Sequence, residues 1–222
     1  MRIVIPLFDQ FTALDAVGPY EVLRMLPDAD VVFAAAVPGP VADGAGPLSV
    51  VATAALDEIT AADLLVVPGG RGARLNVGNE ELLGWIRRID ATTRWTTSVC
   101  TGSLLLGAAG LLKGLEATTH WSAVAALESY GAVYTPRRVV EQGRIITSAG
   151  VSSGIDMALR LAELAAGRVA AEAYQLLIEY DPEPPFDSGS LAKASQEVRD
   201  FVAARQGVAG RRRPAGYVGQ GA

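Results

Sequence analysis

One cysteine, one histidine and an early aspartate are the residues whose types and placing can do chemistry in this chain. Cys100 is the sole cysteine and lies in WTTSVCTGSLLLGAAG, residues 95–110. Arg94 to Val99 is rich in Thr, Trp and Val and reads as a buried strand that stops at Cys100-Thr101-Gly102, and Ser103 to Ala109 reads as a helix of Leu and Ala. A nucleophile on such a sharp strand-to-helix turn is lifted clear of its neighbours at the C-terminal edge of a sheet, and Gly102 lets the chain pass close by. Free N–H groups and the positive dipole end of the helix are expected to lower the thiol pKa and favour thiolate at neutral pH. The plainer alternative is a buried cysteine packing as a small hydrophobe.

The elements that must position this thiol follow from the pattern. Arg2 to Phe8, Val31 to Val37 and Leu64 to Val67 are near-continuous apolar runs, as in strands buried on both faces of a parallel sheet. Between them a helix over Val17, Val22, Leu23 and Leu26 is capped by Thr12 or Asp15 and stops at Pro27, with Gly18-Pro19 making its first turn irregular. Pro38-Gly39-Pro40 forces a turn, and Leu48 to Thr53 reads as an extra strand or hairpin arm. Pro68 to Gly72 is a glycine turn, and Glu80 to Ile89 an amphipathic helix. A strand at Glu116 to Thr119 runs into His120-Trp121, with Ser122 capping a helix to Tyr130. Val133 to Val140 and Arg144 to Thr147 read as a hairpin joined by Gln142-Gly143. A long helix begins at Ser152 or Ser153 and ends at Gly167, and another spans Val169 to Tyr180 before prolines stop it. Strands alternating with helices specify a doubly wound parallel α/β sheet with helices on both faces. Ligands in such folds bind beyond the carboxyl ends of the strands, where the Asp9–Asp15 loop, Gly69-Gly70 and Cys100 arrive.

Composition narrows the function. Half of the 222 residues are hydrophobic and the formal net charge is −5, so a sizeable core is expected, with neither nucleic acid nor an anionic membrane as partner. One cysteine permits no internal disulfide and one histidine no Cys/His zinc site; both suit the cytoplasm. The longest apolar stretch, Leu104 to Leu112, is about half a membrane span. Residues 1–189 read as a single domain. Residues 190–222 read as a C-terminal helix and flexible tail: a weak helical pattern beyond Ser188 to Ala204, then a disordered glycine-rich end carrying Arg211, Arg212 and Arg213.

The SVCTG elbow, the PGG turn, the LD-x-x-GP helix start and the ATTHW segment together resemble the ThiJ/PfpI superfamily. TSVCTGSLLLGAAGLLKG, ATTHW, AGVSSGIDMAL and EYDPEPPF are most similar to its isocyanide (isonitrile) hydratases, over roughly Met1 to Gly189. The resemblance implies a flavodoxin-like fold, a homodimer, no metal or organic cofactor, and addition of water to a small-molecule isocyanide to give an N-substituted formamide. It makes Cys100 the nucleophile, Asp15 the acid/base carboxyl and Thr101 a hydroxyl beside the sulfur. Val151 falls where the family places a backbone carbonyl near that sulfur. The backbone N–H groups of Gly70 and Thr101 are candidates for an oxyanion hole, though Gly69-Gly70 also fits a plain tight turn. His120 is read as structural or pocket-lining, with Trp121 as an apolar wall. Peptidase-like members carry a histidine directly after the cysteine, where this chain has Thr101. Deglycase-like and glyoxalase-like members carry glutamate where it has Asp15. Both departures count against those activities. Regulators with an amidase-like half share CTG and TTHW, which keeps a redox-sensing module as the alternative. The segment Tyr180 to Phe186 is expected to pack against a partner near the active site.

Overall fold

The computed structural model describes residues 1–44 and 46–209, of which 206–209 are described as backbone only. Two compact units divide the chain, residues 1–180 and 181 onward. The first holds a seven-stranded sheet. Its strands are β1 (Arg2–Pro6), β2 (Asp30–Ala35), β5 (Ala54–Ala55), β6 (Leu64–Val67), β7 (Trp95–Val99), β10 (Val139–Gln142) and β11 (Ile145–Ser148), in the order β10-β11-β7-β6-β1-β2-β5. Every pairing is parallel except β10 with β11. The five central strands run β2-β1-β6-β7-β11, the 2-1-3-4-5 order of a flavodoxin-like doubly wound sheet, and the winding reverses between β1 and β6.

The apolar runs explain why these strands are central. Every residue of β6, β7 and β11 is buried, as are Ile3 to Pro6 of β1, which requires cover on both faces. Helices α1 (Ala13–Leu23), α6 (Ser153–Ala166) and α7 (Arg168–Leu177) pack in sequence on one another, as α2 (Arg71–Leu75), α3 (Glu80–Asp90) and α5 (Val124–Ser129) pack on α4 (Gly102–Ala108) or its neighbours. The sequence of α3 shows why it starts and stops where it does. Asn79 accepts the Leu82 N–H at 3.2 Å, acidic Glu80 and Glu81 sit in the first turn, and Arg87 and Arg88 in the last.

Several expected boundaries differ. β1 ends at Pro6 instead of Phe8, and Gly39, expected in a turn, opens a strand, β3 (Gly39–Ala42), paired antiparallel with β4 (Ser49–Ala52). The strand expected over Glu116 to Thr119 shrinks to β8 (Glu116–Ala117), paired with β9 (Val133–Tyr134) away from the main sheet, while Thr118 and Thr119 are held by side-chain bonds. The long hairpin reduces to β10 and β11. Neither Thr12 nor Ser152 makes a side-chain cap; each start is held by backbone bonds, such as Asp15 N–H to Thr12 O at 3.0 Å and Ser153 N–H to Gly150 O at 2.9 Å. The second unit holds α8 (Gln196–Ala209), within the stretch beyond Ser188 where a helix is expected but running past its expected end at Ala204. The tail with Arg211 to Arg213 falls outside the described residues.

The topology demands a close approach at Gly102, where α4 leaves the elbow. A Cβ there would sit 2.1 Å from the Val67 carbonyl oxygen and 2.8 Å from that of Pro68, both backbone atoms that cannot swing away. Gly102→Ala is therefore expected to cost about 3 kcal/mol or more in denaturant unfolding. Gly78→Ala, with nothing within 4 Å, should shift stability by less than about 0.5 kcal/mol.

Candidate active site

Three turns from the carboxyl ends of β1, β6 and β7 meet around one residue, Gly69. The loop after β1 is tied to the loop after β6 through Thr12 N–H to Gly69 O at 2.9 Å and Gly72 N–H to Gln10 O at 2.8 Å. Asp15, in the first turn of α1, is thereby carried inward and fully buried. Its Oδ2 accepts the Gly69 N–H at 2.9 Å. A Cβ on Gly69 would lie 2.5 Å from the Thr101 nitrogen, 2.7 Å from Thr101 Oγ1 and 2.8 Å from Asp15 Oδ2. Any side chain here would drive the carboxyl and the elbow apart, so glycine is what lets them converge.

Cys100 adopts a left-handed backbone, φ 57°, unusual for a residue with a side chain. Neighbours hold it there: its N–H donates to Ala149 O at 2.8 Å, while its carbonyl oxygen accepts Ser103 Oγ and Thr119 Oγ1, each at 3.1 Å. The sharp turn predicted from SVCTG is thus present, fixed by residues on β7's flank, α4 and the segment after β8. Ser103, Thr119 and the Ala149 carbonyl escaped the sequence reading. Only the unusual pairing Thr118-Thr119 before His120 hinted at one of them.

The electrostatics correct the expectation of a resting thiolate. The Cys100 thiol is only 5% exposed, and burial, then the Asp15 charge, push its pKa up to about 12. N–H groups of Thr101 and Val151 and the Thr101 hydroxyl offset this only in part. A seven-residue helix cannot outweigh loss of water around sulfur. Asp15 is pushed up from 3.8 to about 7 by burial, against hydrogen bonds from Gly69 and the Cys100 side chain. Its Oδ1 has no partner among the described residues. Both groups are thus raised, and the carboxyl ionises first.

The remaining predicted residues fall as follows. Thr101 Oγ1 donates to Gly70 O at 3.0 Å and accepts the Gly70 N–H at 2.9 Å. That occupies the Gly70 N–H, so it is no oxyanion donor; it fixes the turn beside the thiol. Val151 faces the sulfur with its N–H, where a carbonyl was expected, because the chain turns into α6 there. Ser122 does not cap α5. His120 Nδ1 instead accepts the Ser122 N–H at 3.2 Å and caps the turn at Trp121–Ala123. Trp121 is 38% exposed and its ring lies 5.2 Å from that of His120, which makes it a partner of the histidine more than a sealed wall. Among the described residues no cluster of three metal-ligating side chains occurs, and no helix is long and apolar enough to cross a membrane.

Known proteins resemble this chain across the converging turns, some over most of their own length and some over about half of it. The isonitrile hydratase of Pseudomonas putida is 44% identical over 194 residues, 87% of this chain and 85% of that protein. The HTH-type transcriptional regulator CdhR of Pseudomonas aeruginosa is 34% identical over 78% of this chain, which spans 49% of the regulator. The crystal structure of a ThiJ/PfpI family protein from Pseudomonas syringae superposes with a TM-score of 0.89 at 37% identity, covering 93% of this chain and 86% of that one. The pattern of the DJ-1/PfpI family matches residues 1–164, from β1 into α6 and across all three converging turns. The chain belongs to the DJ-1/PfpI family.

Proposed function

We propose that this protein is an isocyanide hydratase, with Cys100 as nucleophile and Asp15 as the single proton carrier. The observation that carries this reading is the Asp15 carboxyl buried against the Cys100 thiol. Identity of 44% to an isonitrile hydratase over most of both chains supports it. An isocyanide offers an electrophilic terminal carbon in a small, uncharged group that suits a nearly closed site. The ionised Asp15 removes the thiol proton as sulfur attacks that carbon, then delivers the proton to the same carbon. The product is a thioimidate, Cys–S–CH=N–R, and the carboxylate is regenerated. Asp15 next takes a proton from water as the oxygen adds to carbon, and passes it to nitrogen. When the C–S bond breaks, sulfur recovers the hydroxyl proton and the formamide leaves. The Thr101 hydroxyl holds the Gly70 peptide still, and the Thr101 backbone N–H gives the sulfur a hydrogen bond.

With Asp15 titrating near 7 and the thiol near 12, the base is present above pH 7 and lost below it. The expected kcat/KM for cyclohexyl isocyanide rises tenfold per pH unit up to about pH 7 and then levels off. Cys100→Ala should abolish formamide formation, and Asp15→Asn should lower it by at least 100-fold and flatten the profile. A wild-type rate that climbs on acidification, or Asp15→Asn with the wild-type profile, contradicts these roles. No turnover with a range of isocyanides removes the hydratase reading. Stoichiometric oxidation of Cys100 by peroxide without turnover would favour a sensing module.

Two further properties belong to this reading. A lone free thiol suits a reducing cytoplasm. Helix α7 buries only Ala171 and leaves Val169, Leu176 and Leu177 at least 72% exposed, a face we assign to pairing of two copies. Light scattering on the eluting protein is expected to give twice the 23.1 kDa chain mass; a monomer at micromolar concentration would contradict the pairing.

A further inference from the structure

His120, the single histidine of the sequence, has no task in the hydration steps above. It lies between one residue that touches Cys100 and one next to a residue that does. Thr119, just before it, donates to the Cys100 carbonyl oxygen at 3.1 Å. Gly150, which its ring abuts, precedes Val151, whose N–H faces the sulfur. The ring edge is close enough that a Cβ on Gly150 would lie 3.0 Å from Cδ2 and 3.7 Å from Nε2. The histidine therefore stands at the rim of the thiol loop.

Its hydrogen bonds decide which ring nitrogen carries the proton. Arg74 donates through one nitrogen to both Ser122 O at 3.2 Å and Ser122 Oγ at 2.9 Å. Ser122 Oγ, so occupied as an acceptor, turns its own proton to His120 Nδ1, 2.8 Å away. The Ser122 N–H reaches the same nitrogen at 3.2 Å. Two donors aimed at Nδ1 require a bare lone pair there, so the neutral ring holds its proton on Nε2. Protonating both nitrogens would break these bonds beside the Arg74 charge, and burial and Arg74 hold the pKa below its ordinary value. Among the described residues Nε2 has no partner.

We infer that His120 is a neutral donor whose Nε2–H, held by the Arg74–Ser122 relay, binds the oxygen that becomes the formamide carbonyl. This rests on the hydratase reading. It gives the reaction a charge-neutral donor at the oxygen, separate from the Asp15 carboxyl that moves protons. It also supplies the donor that the engaged Gly70 N–H does not. Because this oxygen joins the substrate carbon only as water adds, after the isocyanide has bound and reacted with sulfur, the contact lowers the barrier without tightening binding of the isocyanide.

The chain contains one histidine, so a ¹⁵N-histidine-labelled, tag-free sample reports this ring alone. At pH 7 Nδ1 should resonate as an unprotonated nitrogen and Nε2 as a protonated one, and N-cyclohexylformamide should shift the Nε2 signal. His120→Asn keeps an acceptor able to cap the Trp121–Ala123 turn but has no atom at Nε2. It is expected to lower kcat for cyclohexyl isocyanide about 10- to 100-fold with KM little changed and the pH profile unaltered. His120→Gln, which can place an N–H near Nε2, should recover part of kcat. A proton on Nδ1, an imidazolium at pH 7, or wild-type kcat in His120→Asn would overturn the assignment in an active enzyme. A bare Nδ1 in a protein inert to isocyanides would instead sink the hydratase reading, and the role at the oxygen with it.

Discussion

A thiol and a carboxyl buried side by side have room for one negative charge between them, and the structure around them maintains that condition. Burial raises both groups; the Asp15 charge raises the thiol further, while the hydrogen bond from that thiol partly lowers the carboxyl. The surrounding N–H groups of Gly69, Thr101 and Val151 soften the penalty without removing it. The pair is therefore a proton store whose occupancy can change by one near neutral pH, which suits a reaction that must add protons to carbon and nitrogen in turn. A thiol that rested as thiolate would need no base; here the base is the carboxyl next to it.

This arrangement has a cost in stability, and its sign is fixed. Asp15 has its pKa raised from 3.8 to about 7 in the folded chain. The folded state is thus favoured below about pH 4, and the advantage is lost as the pH climbs through 7, where the carboxylate must be kept dry. The difference is on the order of 4 kcal/mol. Cys100 adds a left-handed backbone held by Ser103, Thr119 and Ala149. The buried central strands, with their unbroken apolar runs, are the part of the fold that can sustain both.

The strands, the winding and the elbow were legible because each has a local signature: β-branched runs, alternating helical patterns, and Cys-x-Gly at a strand end. Asp15 and Cys100 lie 85 residues apart, and only the resemblance to a family joined them on paper; the geometry adds the Gly69 contact through which they meet. The resting state of the thiol was misjudged because a helix N-terminus is visible in sequence while desolvation is a property of the packed whole. Gly70 was misjudged for a related reason, since nothing in PGG reveals that Thr101, 31 positions on, takes its N–H. The strands expected over Glu116 to Thr119 and Val133 to Val140 contain β8 and β9, but periodicity does not reveal that each is only two residues long.

The titration of Asp15 itself tests this account most directly. Infrared difference spectra between wild type and Asp15→Asn isolate the stretch of one protonated carboxyl group. The account requires that band to be present at pH 5 and to vanish with a midpoint near pH 7. A carboxyl already ionised at pH 5 would contradict it, leaving Asp15 an ordinary carboxylate with no proton to give.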